Sequence, residues 1–176
     1  MVPGQQAALT TAVRLRPSRP EDLRFVTALE RHPDNCELIG QWSDAEHLAA
    51  MAGSRGRSHW IVERDGEPAG YLIAYDCSGV GTGVYVKRLL VADKGRGTGR
   101  AALAQFLERA FASAQVSFVW LIVRGENVRA QALYASLGFE RLELASEQAE
   151  RFDRAAEPPM AEAFRMCLDR GRHLRA

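Results

Sequence analysis

Net charge is nearly absent from this 176-residue sequence: 23 Lys and Arg oppose 22 Asp and Glu, leaving +1. No global field favours nucleic acid or an anionic membrane, so any anion site has to be built locally. Cysteine is scarce. Cys36, Cys77 and Cys167 lie far apart and form no CxxC pair, which argues against a structural zinc site and against a disulfide framework, and fits reduced thiols. No metal is expected. No apolar run approaches the length of a membrane span. The first residues, MVPGQQAALTT, carry neither the basic region nor the apolar run of a signal peptide, so the cytoplasm is the default location. Repeats and low-complexity blocks are absent too. What is present is a 47% apolar share with 26% charged residues, enough to bury a core and to exclude a wholly disordered chain. The length predicts one domain over 12–169, with a flexible leader at 1–11 and a basic, solvated tail at 170–176.

Periodicity supplies the elements. Ala12 to Arg16 alternates as a short strand. Pro20-Glu21-Asp22 opens a helix whose apolar stripe is Leu23, Val26 and Leu29, and which His32 and Pro33 end. Ser43 with Glu46 three residues on reads as a capping box for a second helix. His59–Arg64 and Glu67–Tyr75 form a hairpin around Asp65-Gly66. Gly79, Gly81 and Gly83 lead into a strand at Val84–Val91. A helix begins at Gly99, with Leu103, Phe106, Leu107, Ala110 and Phe111 on one stripe. Val116–Val123 is apolar throughout, the pattern of a strand buried on both faces and paired in parallel. Asn127 caps a further helix that Gly138 ends. Phe139–Leu144 is read as a strand, 145–160 as a surface loop containing Pro158-Pro159, and Ala163–Asp169 as the last strand. The fold class is therefore α/β: one mixed, largely antiparallel sheet of about seven strands with helices on both faces and a central crossover.

The chemistry concentrates in Lys94-Gly95-Arg96-Gly97-Thr98-Gly99-Arg100, between the strand ending at Val91 and a helix. Glycines let backbone approach a ligand and permit positive φ. The first N–H groups of the helix have no internal partner and, with its dipole, form an anion site. Lys94, Arg96 and Arg100 add positive charge, so a phosphate or pyrophosphate is the expected ligand. The segment does not match the Walker A pattern. Gly97, Gly99 and Ala102 fit a dinucleotide-binding G-x-G-x-x-A, with Glu126 beyond the next strand. That motif usually opens its domain, whereas some 80 residues precede it here. The plainest alternative is a Gly-rich strand-to-helix turn.

Lys94 to Gly99 is similar to the Q/R-x-x-G-x-G/A signature of the GNAT family of N-acetyltransferases. Asn127-Val128-Arg129-Ala130-Gln131-Ala132-Leu133-Tyr134, followed by Gly138-Phe139, resembles that family's second motif, N-x-R-A-x-A-L-Y-x-x-x-G-F. Asn35, Ile39, Trp42, Glu46 and His47 resemble the branch near ribosomal-protein N-terminal acetyltransferases. The resemblance implies acetyl-CoA as co-substrate, held where two central parallel strands splay apart. It implies that Lys94, Gly95, Arg96, Gly97, Thr98, Gly99 and Arg100 bind the pyrophosphate, that the backbone of Leu89, Leu90 and Val91 pairs with the pantetheine, and that Asn127 contacts the cofactor arm. Tyr134 matches the tyrosine that protonates the leaving thiolate; from position alone it is equally a core aromatic.

The base is less defined. Many relatives carry Glu where this chain has Tyr85, and a phenol with a pKa of about 10 is a poor base at neutral pH. Glu126, Glu46 and Glu37 are carboxylate candidates that read equally well as surface acids. His47 and His59 are candidates because histidine titrates near neutrality, although a lone His is more often structural. Trp42, Glu46 and Tyr85 are expected on the acceptor side. The expected reaction is acetyl transfer to a primary amine, of a protein α-amine or a small molecule, by direct attack in a ternary complex. Its rivals are a non-catalytic acyl-CoA-binding regulatory module, which Tyr85 favours, and a nicotinamide-dinucleotide binder. No nucleic-acid or membrane partner is expected; a homodimer fits the resemblance, although no exposed apolar element marks an interface.

Overall fold

The computed structural model describes residues 12–36, 39–77, 83–155 and 162–175. The expected leader, the loop glycines Gly79 and Gly81, Pro158-Pro159 and Glu37 lie outside them. The chain runs β1 (Val13–Pro17), a 3-10 turn, α1 (Leu23–Arg31), α2 (Pro33–Cys36), α3 (Asp44–Met51), a second 3-10 turn, β2 (Arg57–Arg64), β3 (Glu67–Cys77) and β4 (Gly83–Val91). It continues with α4 (Thr98–Ala112), β5 (Phe118–Arg124), α5 (Val128–Ser136), β6 (Glu140–Arg141), α6 (Ser146–Ala155), β7 (Ala163–Asp169) and α7 (Arg170–His173). Among the described residues seven strands form one sheet in the order β1-β2-β3-β4-β5-β7-β6. Every neighbouring pair is antiparallel except β4 and β5, which are joined by a crossover through α4, the connection that parallel neighbours need.

Local chemistry accounts for the expected elements. Ser43 Oγ accepts the Glu46 N–H at 3.3 Å while Glu46 Oε2 accepts the Ser43 N–H at 2.8 Å, the reciprocal capping box. At the β2–β3 hairpin Asp65 and Gly66 both take positive φ, 54° and 89°, the two-residue turn whose twist matches its strands. One sheet face packs on α4 through Val84, Val86, Leu103, Phe106, Leu107, Val119 and Leu121. The other packs on α1 and the following segment through Val26, Leu29, Ile61, Tyr71, Ile73 and Leu90.

Four expectations need correction. His32 ends α1, but the chain re-enters helix at once as α2, with Pro33 in its first position, where the missing N–H costs nothing. The segment read as a surface loop contains α6. Its sequence is polar overall and carries one large apolar anchor, Phe152, whose ring packs against Trp120 at 4.7 Å. The strand expected over Phe139–Leu144 is only two residues long. The basic tail is not simply solvated: α7 stacks His173 on Phe111 at 4.8 Å, and Arg170 donates to the Phe111 carbonyl at 2.7 Å. A cation thereby meets the negative end of α4.

Candidate active site

The parallel pairing of β4 and β5 lasts four residues, from Gly83 opposite Phe118 to Val86 opposite Leu121. Beyond it, Leu89, Leu90 and Val91 keep their partners on β3, and their β5-facing edge has no strand partner among the described residues. The separation starts at a bulge. On β3, Ile73 is opposite Arg88 and the next residue, Ala74, is opposite Val86, so Lys87 is the extra residue. A bulge bends its strand and shifts the alternation of side chains by one. Val84 and Val86 face α4, and so does Leu89, while Arg88 and Leu90 turn to the α1 side.

The resulting cleft encloses about 140 Å³ and is lined by Leu89, Leu90, Val91, Lys94, Gly99, Asn127 and Tyr134, with Asn35 and Ile39 closing one side. A strand edge of N–H and C=O groups suits an extended ligand carrying amides. At the far end Gly95 and Gly97 take left-handed φ of 82° and 77°. Gly97 is the N-cap of α4 and offers no side-chain cap, and the first helical bond is Ala101 N–H to the Gly97 carbonyl at 2.9 Å. The N–H groups of Thr98, Gly99 and Arg100 therefore precede any intrahelical acceptor. Here an L side chain is strained by backbone conformation rather than by space, since a Cβ at either loop glycine would meet nothing within 4 Å.

The three loop cations are committed elsewhere. Lys94 donates to the Asp34 carbonyl at 2.9 Å, fastening the loop to α2. Arg96 pairs with Asp93 at 3.4 Å on the surface. Arg100 reaches Ser136 at the end of α5, 3.1 Å to its Oγ and 3.3 Å to its carbonyl oxygen. Thr98 is buried, its Oγ1 accepting from Arg64 at 3.1 Å. The anion-binding capacity of the loop thus lies mainly in oriented backbone.

On the opposite lip, Asn127 caps α5, its Oδ1 accepting the Ala130 N–H at 3.2 Å. Tyr134 follows two turns later on the cleft side, 5.9 Å from Phe139 between ring centres. Burial pushes its phenol up to about 12, so it is neutral and a proton donor at physiological pH. Glu126 stands outside the cleft lining, exposed and 3.2 Å from Arg124. Glu46 is exposed and occupied as the cap of α3. Tyr85 is buried, stacked on Trp120 at 4.3 Å. Trp42 is half-buried and stacks on Tyr75 at 6.4 Å.

His47 and His59 belong to a buried polar chain whose centre, Glu30, was not among the sequence candidates. Glu30 accepts from the Tyr71 hydroxyl at 2.6 Å and from the Trp42 N–H at 3.2 Å, and pairs with Arg88, which also donates to the Gly40 carbonyl. His47 Nε2 lies 3.3 Å from Glu30, an off-axis approach without good hydrogen-bond alignment. His47 Nδ1 is 3.3 Å from His59 Nε2, and His59 Nδ1 is 2.7 Å from Ser18 Oγ. Burial pushes the Glu30 carboxyl up, but His47, Tyr71 and the Arg88 charge outweigh it and hold it near 2. Burial, with His47 beside it, pushes His59 down to about 4. The available signal was an acid one residue after Leu29 on the apolar stripe of α1, and a Lys87-Arg88 pair interrupting an otherwise apolar strand. Only the bulge at Lys87 brings the two together.

Among the described residues no group of His, Cys, Asp and Glu could hold a metal ion, and no helix is long and apolar enough to cross a membrane. Residues 21–139 match the family model described as Acetyltransferase (GNAT) family. A spermidine N(1)-acetyltransferase of Escherichia coli K12 is 26% identical over 138 residues, covering 73% of each chain. Among solved structures, the aminoglycoside acetyltransferase AAC(6')-Ib in complex with coenzyme A superposes with a TM-score of 0.76 at 21% identity, over 94% of this chain and 99% of that one. The spermidine N-acetyltransferase of Vibrio cholerae in complex with CoA and spermine gives 0.72 at 18% identity, over 92% and 98%. At these identities the structural likeness is one of fold.

Proposed function

From the premise that the chain belongs to the acetyltransferase (GNAT) family, and is therefore an N-acetyltransferase with acetyl-CoA as its co-substrate, we propose that it transfers the acetyl group directly to a primary amine in a ternary complex. The observation that carries this reading is the splay of β4 from β5 beyond Val86 and Leu121, with a glycine loop and open helix N-terminus at one end and Tyr134 on the opposite lip. The pyrophosphate lies on the backbone of Gly95 to Arg100, and the pantetheine amides pair with the free edge of Leu89–Val91. The amine nitrogen attacks the acetyl carbon, forming the C–N bond. The C–S bond breaks with its electron pair on sulfur, Tyr134 gives that sulfur a proton, and the nitrogen's surplus proton passes to water, from which Tyr134 regains its own. An N–H at the start of the free edge supports the developing oxyanion. Every residue used comes from one copy of the chain, and the cytoplasm is the location this reading carries.

For the acceptor, the relatives named for spermidine and aminoglycosides support a small amine. The resemblance of Asn35, Ile39, Trp42, Glu46 and His47 to the ribosomal-protein branch supports a protein α-amine. Among the described residues no candidate base sits in the cleft: Glu126 is paired outside it, Glu46 is a cap, and His47 and His59 are buried in the Glu30 chain. The rate is then carried by acceptor already deprotonated, and an α-amine with a pKa near 8 is better supplied at pH 7 than an ε-amine near 10.4 by roughly 10²-fold. Free CoA released from acetyl-CoA, followed against pH with an α-amine and an ε-amine, tests this. Preference for the α-amine at pH 7 is expected; preference for the ε-amine there would require a strong base and put Glu126 first for mutation.

A further inference from the structure

The side of the cleft closed by α2 carries a polar atom that the fold leaves without a partner. Asn35 of α2 is 2% exposed. Its Nδ2 donates to the Leu29 carbonyl at 2.9 Å, tying α2 to the end of α1. Its Oδ1 is buried with no hydrogen-bond partner among the described residues. A side-chain carbonyl shut away from water without a donor is costly, and native proteins keep few of them. Asn35 does not sit in packed core, however. It lines the cleft, and it lines a second cavity of about 100 Å³ together with Ala92 and Lys94. The amide cannot be turned to present a donor there, because the Leu29 carbonyl already requires its N–H.

The place of Asn35 along the cleft selects the ligand atom. Lys94 Nζ reaches the carbonyl of Asp34, the preceding residue, at 2.9 Å, and Ala92 directly follows β4. Asn35 therefore stands at the loop end of the free Leu89–Val91 edge, whereas the strands part at its other end, after Val86 and Leu121. In the proposed reaction the thioester lies where the strands part and the pyrophosphate lies on the loop. What passes Asn35 is the arm between them. A pyrophosphate has no proton to give an acceptor, but the arm has amide N–H and hydroxyl groups. A strand edge pairs only with groups directed at it, so donors turned away from β4 need another acceptor. The cleft lining among the described residues holds no carboxylate, and Asn127 Oδ1 is already taken by the Ala130 N–H at 3.2 Å.

Resting on the acetyl-transfer reading above, we propose that Asn35 is a binding residue for the pantetheine arm of the cofactor, its Oδ1 accepting an N–H or O–H that the β4 edge does not engage. Two recognitions are then separate. The nucleotide end is read by backbone in the glycine loop, and the arm is read by a side chain of α2. The bond from Lys94 to the Asp34 carbonyl keeps the two together.

The test compares CoA with 3'-phospho-ADP, which is the same nucleotide without the arm. In calorimetric titration Asn35→Ala should weaken CoA by about tenfold and leave 3'-phospho-ADP within about twofold. In turnover it should raise KM for acetyl-CoA by about the same factor and leave kcat at saturation unchanged, as loss of uniform binding does. In the unaltered protein the NMR resonance of Asn35 Cγ should shift with CoA and stay in place with 3'-phospho-ADP, a readout that stands even if the variant fails to fold. Equal loss of both ligands in Asn35→Ala would assign the effect to the tie between α1 and α2 and overturn the inference. So would unchanged CoA affinity, or a Cγ resonance that CoA does not move. Acetyl transfer to amines is left standing by each of these. An unaltered protein that neither binds acetyl-CoA nor releases CoA from it with any amine removes the reaction and the inference together.

Discussion

The two halves of the site are built in opposite ways. The half proposed to hold the cofactor is contiguous: strand end, glycine loop and helix start occupy Leu89 to Arg100, and it presents mostly backbone N–H and C=O. The face on the α1 side is assembled from side chains of distant elements: Arg57, Tyr75, Tyr85 and Trp120 meet through sheet register, and Trp42 and Phe152 pack onto them from flanking segments. Backbone groups tolerate changes of side chain, whereas a surface made of side chains is remade by each substitution.

The strongest way to break this contrast is to show that the cofactor half depends on side-chain charge. Gly97→Asp is expected to abolish CoA binding in calorimetric titration up to about 1 mM, because a carboxylate would sit at the open end of α4. Asp and Asn both tolerate left-handed φ, so Gly97→Asn is the control and should bind within about tenfold of the parent. Equal loss in both variants would assign the effect to sterics. Tyr134→Phe keeps the ring packing and removes the donor, and kcat should fall by roughly 10²–10⁴ with unchanged CoA affinity. Full activity would return Tyr134 to the core.

On the α1 side, Glu30→Gln should cost about 3–5 kcal/mol in urea denaturation, because Arg88 stays buried without its countercharge. The same cluster sets an acid limb. Glu30 is depressed from 4.5 to about 2, so its contribution is present above pH 4.5 and is lost as pH falls toward 2. His59 is depressed from 6.5 to about 4 and stays neutral when folded, so stability already declines as pH drops below 6.5. The expected slope is about 1.4 kcal/mol per pH unit for each group inside its window. A melting temperature flat from pH 7 to 4.5 would contradict the His59 contribution. The smallest effect is expected at Arg100, whose side chain is spent on Ser136: Arg100→Ala should weaken CoA binding by only about 0.5–1 kcal/mol, and a larger loss would return it to the phosphate site.

Legibility in the sequence follows the same division. Periodicity located the helices and strands that pack on the core, and Asp65-Gly66, Ser43 with Glu46, and Asn127 marked their ends, because caps and turns act over two to four residues. The Gly95–Gly99 spacing marked the turn and the open start of α4 for the same reason. Glu30, Arg88 and the aromatic row were not legible, since a lone acid on a helix or a tyrosine in a strand acquires meaning only from its partner across the sheet. The helix α6 escaped because its sequence is polar overall and its anchors, Phe152 on Trp120 and Asp153 on Arg165, act across the sheet.

The bulge at Lys87 gives this strand something like a reading frame. Before it, even-numbered residues face α4; after it, odd-numbered ones do. Removal of Lys87 would leave that frame readable, because Arg88 would follow Val86 directly, on the opposite face, as Ile73 and Ala74 already pair them. What such a deletion would erase is the bend that the extra residue puts into β4, and with it the parting from β5. Removal of a residue elsewhere between Val86 and Val91, with the bulge kept, would instead turn every later side chain to the wrong face. Lys87 is thereby a spacer, silent in the core and felt at the cleft.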